Sequence, residues 1–257
     1  MKHLLASLMA LAVLIGATPA EARARVEQLR PERGAAFRSC TGDRVWCITR
    51  TRDSVTVLYR GDHGQRDVAR LPLSSNADER LESALWPAIV RVTRPGRREF
   101  VLVGVLRTQS EMYSGGGGSL TRLDLFEIAA DGAAPPRPVL EAPWASSFMI
   151  RACFTREDER ARRGACHDQY RYRAALTAPP QGPNEMRLTY RSRADSYPGR
   201  RSRSRDSNRE PALRRSDLVR ATDPLCTFER TLARNPATGA FMWNAPLPPC
   251  SDYLELQ

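Results

Sequence analysis

Lysine is almost missing. Lys2 is the only one in 257 residues, so lysine chemistry, from Schiff bases to phosphate-loop lysines, is excluded from the body of the chain. Histidine is nearly as scarce, with His3, His63 and His167, and no Cys-x-x-Cys pair occurs, so neither usual donor pattern for a zinc site is available. No Gly-x-Ser-x-Gly elbow, His-Glu-x-x-His helix or Ser-x-x-Lys is present, which removes the common hydrolase signatures. Nor is there a long apolar run. The longest, residues 4–17, falls short of the roughly 20 residues that span a bilayer.

That one apolar run has its own reading. Lys2 and His3 precede it, and Ala20-Glu21-Ala22 follows with the small-x-small spacing of a cleavage site, so residues 1–22 are expected to be a secretory signal peptide. The mature protein then spans 23–257, enough for one domain with a sizeable core, in the periplasm or the medium. Loss of Lys2 and Glu21 together leaves the net charge of +11 unchanged. A GC-rich genome accounts for abundant Arg, Ala, Gly and Pro; an anionic partner is the functional explanation of the same bias.

All six cysteines lie in the mature part, and an even number in an exported chain reads as a disulfide framework. Six cysteines allow 15 pairings. They fall into three separated couples, which favours Cys40 with Cys47, Cys153 with Cys166, and Cys226 with Cys250. Metal binding is the rival use, and with so few histidines no metal or cofactor is expected.

Apolar and polar residues alternate in short runs at 45–51, 54–60, 88–93, 100–107, 120–128, 148–154, 170–177 and 186–191, the signature of half-buried antiparallel strands. Two short helices interrupt them. Ser75 to Asp78 reads as a capping box, with Ala77, Leu81, Ala84 and Leu85 on one face and Pro87 as the stop; Thr155 to Asp158 is a second box inside the Cys153 to Cys166 loop. The order of strands, each set ending in Pro plus an apolar residue at Pro72, Pro143 and Pro224, recurs three times, with an incomplete fourth copy from Cys226 to Gln257. An all-β chain of repeated four-stranded antiparallel meanders suggests a four-bladed propeller, closed by pairing of 26–29 with 253–256; a β-sandwich is the alternative.

Residues 192–215 form an Arg/Ser-rich insertion with little to bury and the composition of a solvated, disordered loop. Arg200, Arg201, Arg203 and Arg205 are its candidate anion-binding residues, since guanidinium pairs bidentately with phosphate and carboxylate. Tyr190 and Tyr197 are its only nearby aromatics, so specific nucleic-acid readout is not expected. Residues 114–119, Ser-Gly-Gly-Gly-Gly-Ser, read as a flexible hairpin tip rather than a phosphate loop. A binding or scaffold protein contacting anionic polysaccharide or lipopolysaccharide is the leading expectation. The alternative is a small secreted hydrolase using His63 or His167, for which no nucleophile motif speaks.

Overall fold

The computed structural model describes residues 23–62, 64–73, 81–93, 99–179 and 186–256, so the expected signal peptide, His63 and the first half of the helix expected near residue 77 lie outside the described residues. In chain order the strands are β1 (Arg23–Gln28), β2 (Arg30–Pro31), β3 (Arg38–Cys40), β4 (Trp46–Arg50), β5 (Ser54–Gly61), β6 (Gly64–Pro72), β7 (Leu81–Thr93), β8 (Phe100–Tyr113), β9 (Gly116–Ala129) and β10 (Arg137–Arg151). Helix α1 (Arg156–Ala161) follows, then β11 (His167–Thr177), β12 (Arg187–Tyr197), β13 (Ala221–Thr222), β14 (Glu229–Arg234), β15 (Phe241–Trp243) and helix α2 (Ser251–Leu254). The protein is mainly antiparallel β, as the alternation implies.

Two open sheets hold these strands. One runs β1-β7-β8-β9-β10-β11-β12-β14-β15, with β13 beside β12; the other runs β2-β3-β4-β5-β6. Alternation along β8 explains how they stack. Val101, Val103 and Val105 pack with Trp46, Ile48, Val55 and Val57 of the smaller sheet, while Phe100 and Leu102 point the other way, toward Leu123, Leu125, Leu188, Tyr190 and Leu232. Strands β7 to β9 are therefore a middle layer, and burial on both faces is why residues 100–106 read as a near-continuous apolar run. Each fully buried Val, Leu or Ile stabilises by roughly 1.5–3 kcal/mol relative to exposure.

A register shift at Pro143 to Ala145 lets β10 change layers. Before it the strand buries Leu140 and Ala142; after it, Ser146 and Phe148, and Phe148 joins Tyr170, Tyr172 and Ala194 in a cluster closed by Cys226, Cys250 and Tyr253. The disulfides are Cys40–Cys47, Cys153–Cys166 and Cys226–Cys250, the couples that spacing favours.

Several expectations are corrected. Leu81, Ala84 and Leu85 belong to strand β7, where a ladder with β8 supplies the hydrogen bonds that a short isolated helix would lack. Residues 251–254 form α2 rather than a closing strand, and β1 pairs with β7, from Arg23↔Thr93 to Gln28↔Ala88, so no ring is closed through the termini. The Pro markers of the supposed repeat also differ in setting: Pro72 ends β6, Pro143 sits at the β10 bulge, and Pro224 lies in the loop after β13. One sheet runs unbroken from β7 through β12, so these strands do not divide into four-stranded blades. The glycine run is also more than a tip. Gly116, Gly117 and Gly118 lie in β9, paired with Ile150, Met149 and Phe148, and a Cβ on Gly118 would overlap the Phe148 ring.

Candidate functional site: the arginine-rich arm

The expected disordered insertion is an ordered structure. Residues 192–197 complete β12, and the chain leaves it through a cis Tyr197-Pro198 bond into a loop that returns to β13. Three anchors hold this arm. Ser202 and Arg203 bind the C-terminal helix, the Arg203 amide donating to Asp252 Oδ1 at 2.8 Å and its guanidinium to the Glu255 carbonyl at 2.7 Å. Ser207 donates to Asp168 of β11, which is also paired with Arg162; both members of that ion pair are buried. Leu213 is buried, its amide donating to the Ala161 carbonyl while Arg163 Nε donates to the Leu213 carbonyl at 2.7 Å. Composition concealed this because the anchors are polar: serines, arginines and backbone groups, with only Pro198 and Leu213 buried as apolar residues between 198 and 215.

The four predicted anion-binding arginines therefore divide. Arg201 pairs with Glu210, is 11 % exposed along its side chain, and donates to the Pro198 carbonyl at 3.0 Å, so it shapes the arm from within. Arg203 lies with its guanidinium 4.2 Å from the centroid of the Phe148 ring in addition to its bonds to the C-terminus. Both are committed. Arg200 and Arg205 are exposed and have no carboxylate partner among the described residues. The structure adds Arg214, whose amide donates to Asp217 Oδ2 at 2.7 Å but whose exposed guanidinium has no carboxylate partner among the described residues.

Arg200, Arg201 and Arg214 line a concavity of about 370 Å³, together with Pro198, Leu213 and Asp217. A second hollow of about 240 Å³ lies where the arm meets β10 and β11, and its lining includes Arg151, Tyr170, Arg203 and Arg205 together with the acids Asp168 and Asp206. Burial, reinforced by the negative charges of Asp168 and Asp252, pushes the Tyr170 hydroxyl well above its usual range, so it stays a neutral wall of that hollow. Both hollows can offer guanidinium donors to an anion, and their walls are fixed by internal pairs rather than by the exposed arginines themselves.

His167 opens β11 on the surface, and the carboxylate beside it, Asp168, points into its bonds with Arg162 and Ser207. No imidazole–carboxylate–nucleophile arrangement is assembled there. Among the described residues no group of three His, Cys, Asp or Glu side chains is placed to hold a metal ion. No helix among them is long and apolar enough to cross a membrane. Compared with known protein families, curated proteins and solved structures, the chain matches none of them.

Proposed function

We propose that the chain is an exported β protein that binds an anionic envelope polymer, lipopolysaccharide or acidic polysaccharide, through the arm. The observation that carries this reading is the pairing pattern: Arg201 satisfies acceptors of the loop itself and Arg203 ties it to the C-terminal helix, while the guanidinium groups of Arg200 and Arg214 have no carboxylate partner among the described residues and stand on the wall of the same 370 Å³ hollow. An ordered loop fixes the backbone from which these side chains project, so the backbone part of the ordering cost is already met by folding. Three disulfides, rare in reducing compartments, support the exported setting.

The test compares wild type with Arg200→Ser/Arg214→Ser for binding to lipopolysaccharide and to a polyuronate across a range of salt. Binding that weakens steeply with salt in the wild type, and falls several-fold in the double variant with an unchanged thermal midpoint, is the expected result, since exposed charges are screened within about 8 Å at physiological ionic strength. Equal binding by both proteins at low salt refutes the arm as the contact.

A further inference from the structure

Away from the arm, one face of the large sheet carries a different pattern. Between residues 108 and 121 of the β8–β9 hairpin, and on through β10, β11 and β12, the ladder runs across five strands with no register shift. Directly paired residues share a face, and three rows result. Met112, Gly117, Met149, Gln169 and Tyr197 form the outermost; Ser110, Ser119, Ser147, Arg171 and Asp195 the next; Thr108, Thr121, Ala145, Arg173 and Arg193 the third. Five strands at about 4.8 Å spacing make a patch some 19 Å wide.

The opposite side of these strands is covered, since Phe148, Tyr170, Tyr172 and Ala194 pack under Tyr253 and the Cys226–Cys250 bridge. This side is not. Met112 is 86 % exposed and Met149 47 %, and Arg171, Arg173, Arg193 and Ser147 are exposed as well. Arg173 and Arg193 stand directly opposite one another, an arrangement in which like charges destabilise a sheet. Neither they nor Arg171 has a carboxylate partner among the described residues; Asp195, the acid within the rows, is taken by Arg220 at 2.7 Å.

We infer that this face docks on an anionic lipid surface, with Arg171, Arg173 and Arg193 on the lipid phosphates and the Met112 and Met149 side chains in the headgroup boundary. Two features on one flat face favour a bilayer over a soluble polyanion. The arginines alone fit either, but a hydrated polysaccharide leaves two prominent methionines without a role, whereas a lipid interface takes up apolar side chains next to cations that pair with phosphate. The uncompensated Arg173/Arg193 pair is the cation density that such a surface neutralises. This inference uses the β12 part of the insertion, through Arg193, but none of the loop residues 198–215 on which the arm reading rests.

The purified protein, processed as its host leaves it, is sedimented with phosphatidylcholine vesicles that contain or lack phosphatidylglycerol. Wild type is expected to bind the anionic vesicles, more weakly as salt rises, and to leave the neutral ones unbound. Each arginine near an anionic surface contributes on the order of a fivefold change in binding, so Arg173→Ser/Arg193→Ser is expected to weaken binding by on the order of twentyfold or more. Met112→Ser/Met149→Ser is expected to lose several-fold. All four positions are exposed, and removing the opposed Arg173/Arg193 charges relieves repulsion, so thermal midpoints should not fall. The arm variant Arg200→Ser/Arg214→Ser serves as the control and is expected to bind vesicles like wild type, which separates failure here from failure of the arm reading. Equal binding to neutral and anionic vesicles, or undiminished binding by Arg173→Ser/Arg193→Ser, overturns the proposal. So does loss of polyuronate binding in that variant with vesicle binding intact, which assigns the face to a glycan.

Discussion

The Tyr190 hydroxyl donates to the Pro143 carbonyl at 2.6 Å, across the core and at the point where β10 breaks register. Bulges leave backbone groups without ladder partners, and a buried carbonyl in that position must find a donor elsewhere. Tyr190 supplies it, and its own oxygen lies 2.7 Å from the Tyr172 hydroxyl, which donates to it. The tyrosine pair thus holds together the layers that β10 joins. Tyr190→Phe is expected to destabilise by about 1–3 kcal/mol, because both the carbonyl and the Tyr172 hydroxyl lose a partner. Tyr172→Phe leaves the carbonyl satisfied and should cost less; urea titration of the two variants gives the order, and a reversed order contradicts this account.

Gly104 marks a second close approach. A Cβ there would lie 2.7 Å from Trp86 Cβ and 2.8 Å from Leu123 Cδ1, so Trp86 of β7 and Leu123 of β9 close over β8 only because no side chain intervenes. Gly104→Ala should therefore lose about 1–3 kcal/mol by overpacking, despite the usual advantage of alanine over glycine in a strand. Thermal unfolding followed by near-UV circular dichroism, which reports the tryptophans, is the check.

What the sequence made legible follows from the range of the signal. Strand period is local, so Val101, Val103 and Val105 could be placed on one face of β8 without knowing what they meet. Cysteine spacing is nearly as local, and Thr155 with Asp158 forms the expected cap, each accepting from the other's backbone amide. Pairing across distance was not legible. Nothing in Arg25-Val26-Glu27 says whether its partner is β7 or the C-terminus, and the three Pro-plus-apolar markers looked equivalent because their surroundings are set by other segments. Leu81 to Leu85 fits either period, and the ladder with β8 decides it. The arm failed for a different reason: low hydrophobicity predicts disorder when burial is the means of ordering, but this loop is ordered by Asp168, Asp252 and Glu210, acids scattered through or beyond it.

Acid should weaken the junction between the sheets in a defined window. Asp43 is pushed up by partial burial, but hydrogen bonds from the Thr41 hydroxyl, the Arg91 guanidinium and the Val45 amide outweigh it and hold its pKa at about 2, against 3.8 ordinarily. A carboxylate depressed in the folded state adds stability that is fully present above its unfolded value and disappears as pH falls through the folded one. The stability difference between wild type and Asp43→Asn should accordingly be constant above about pH 5, shrink from about pH 4 and disappear only below about pH 2. Arg91 also binds Glu99, which accepts from Trp46 Nε1 at 3.1 Å, so the affected contact links the five-stranded sheet to β7. A difference that persists unchanged at pH 2 assigns the stabilisation to something other than the ionised carboxylate.

Asp168 offers the sharpest test of the ordered arm, because it joins two elements through one buried side chain. Its carboxylate receives Arg162 from the end of α1 and Ser207 from the arm, and it is only 2 % exposed. Asp168→Asn keeps the size but removes the charge that balances Arg162, and breaking a buried pair in this way typically costs about 3–5 kcal/mol. Part of that loss should appear locally, as release of the arm. Seven arginines between 200 and 215 make the arm a dense set of tryptic sites. Cleavage needs an extended, mobile segment, so the rate of nicking measures how often the arm opens. In the wild type these sites should be cut slowly under native conditions, even though Arg200, Arg205, Arg209, Arg214 and Arg215 are exposed. In Asp168→Asn, and more mildly in Ser207→Ala, mass spectrometry should find the first cuts between 200 and 215 while the remaining strands stay intact. Fast cleavage there in the wild type means that the arm is the solvated loop its composition suggests, and that its three anchors do not hold.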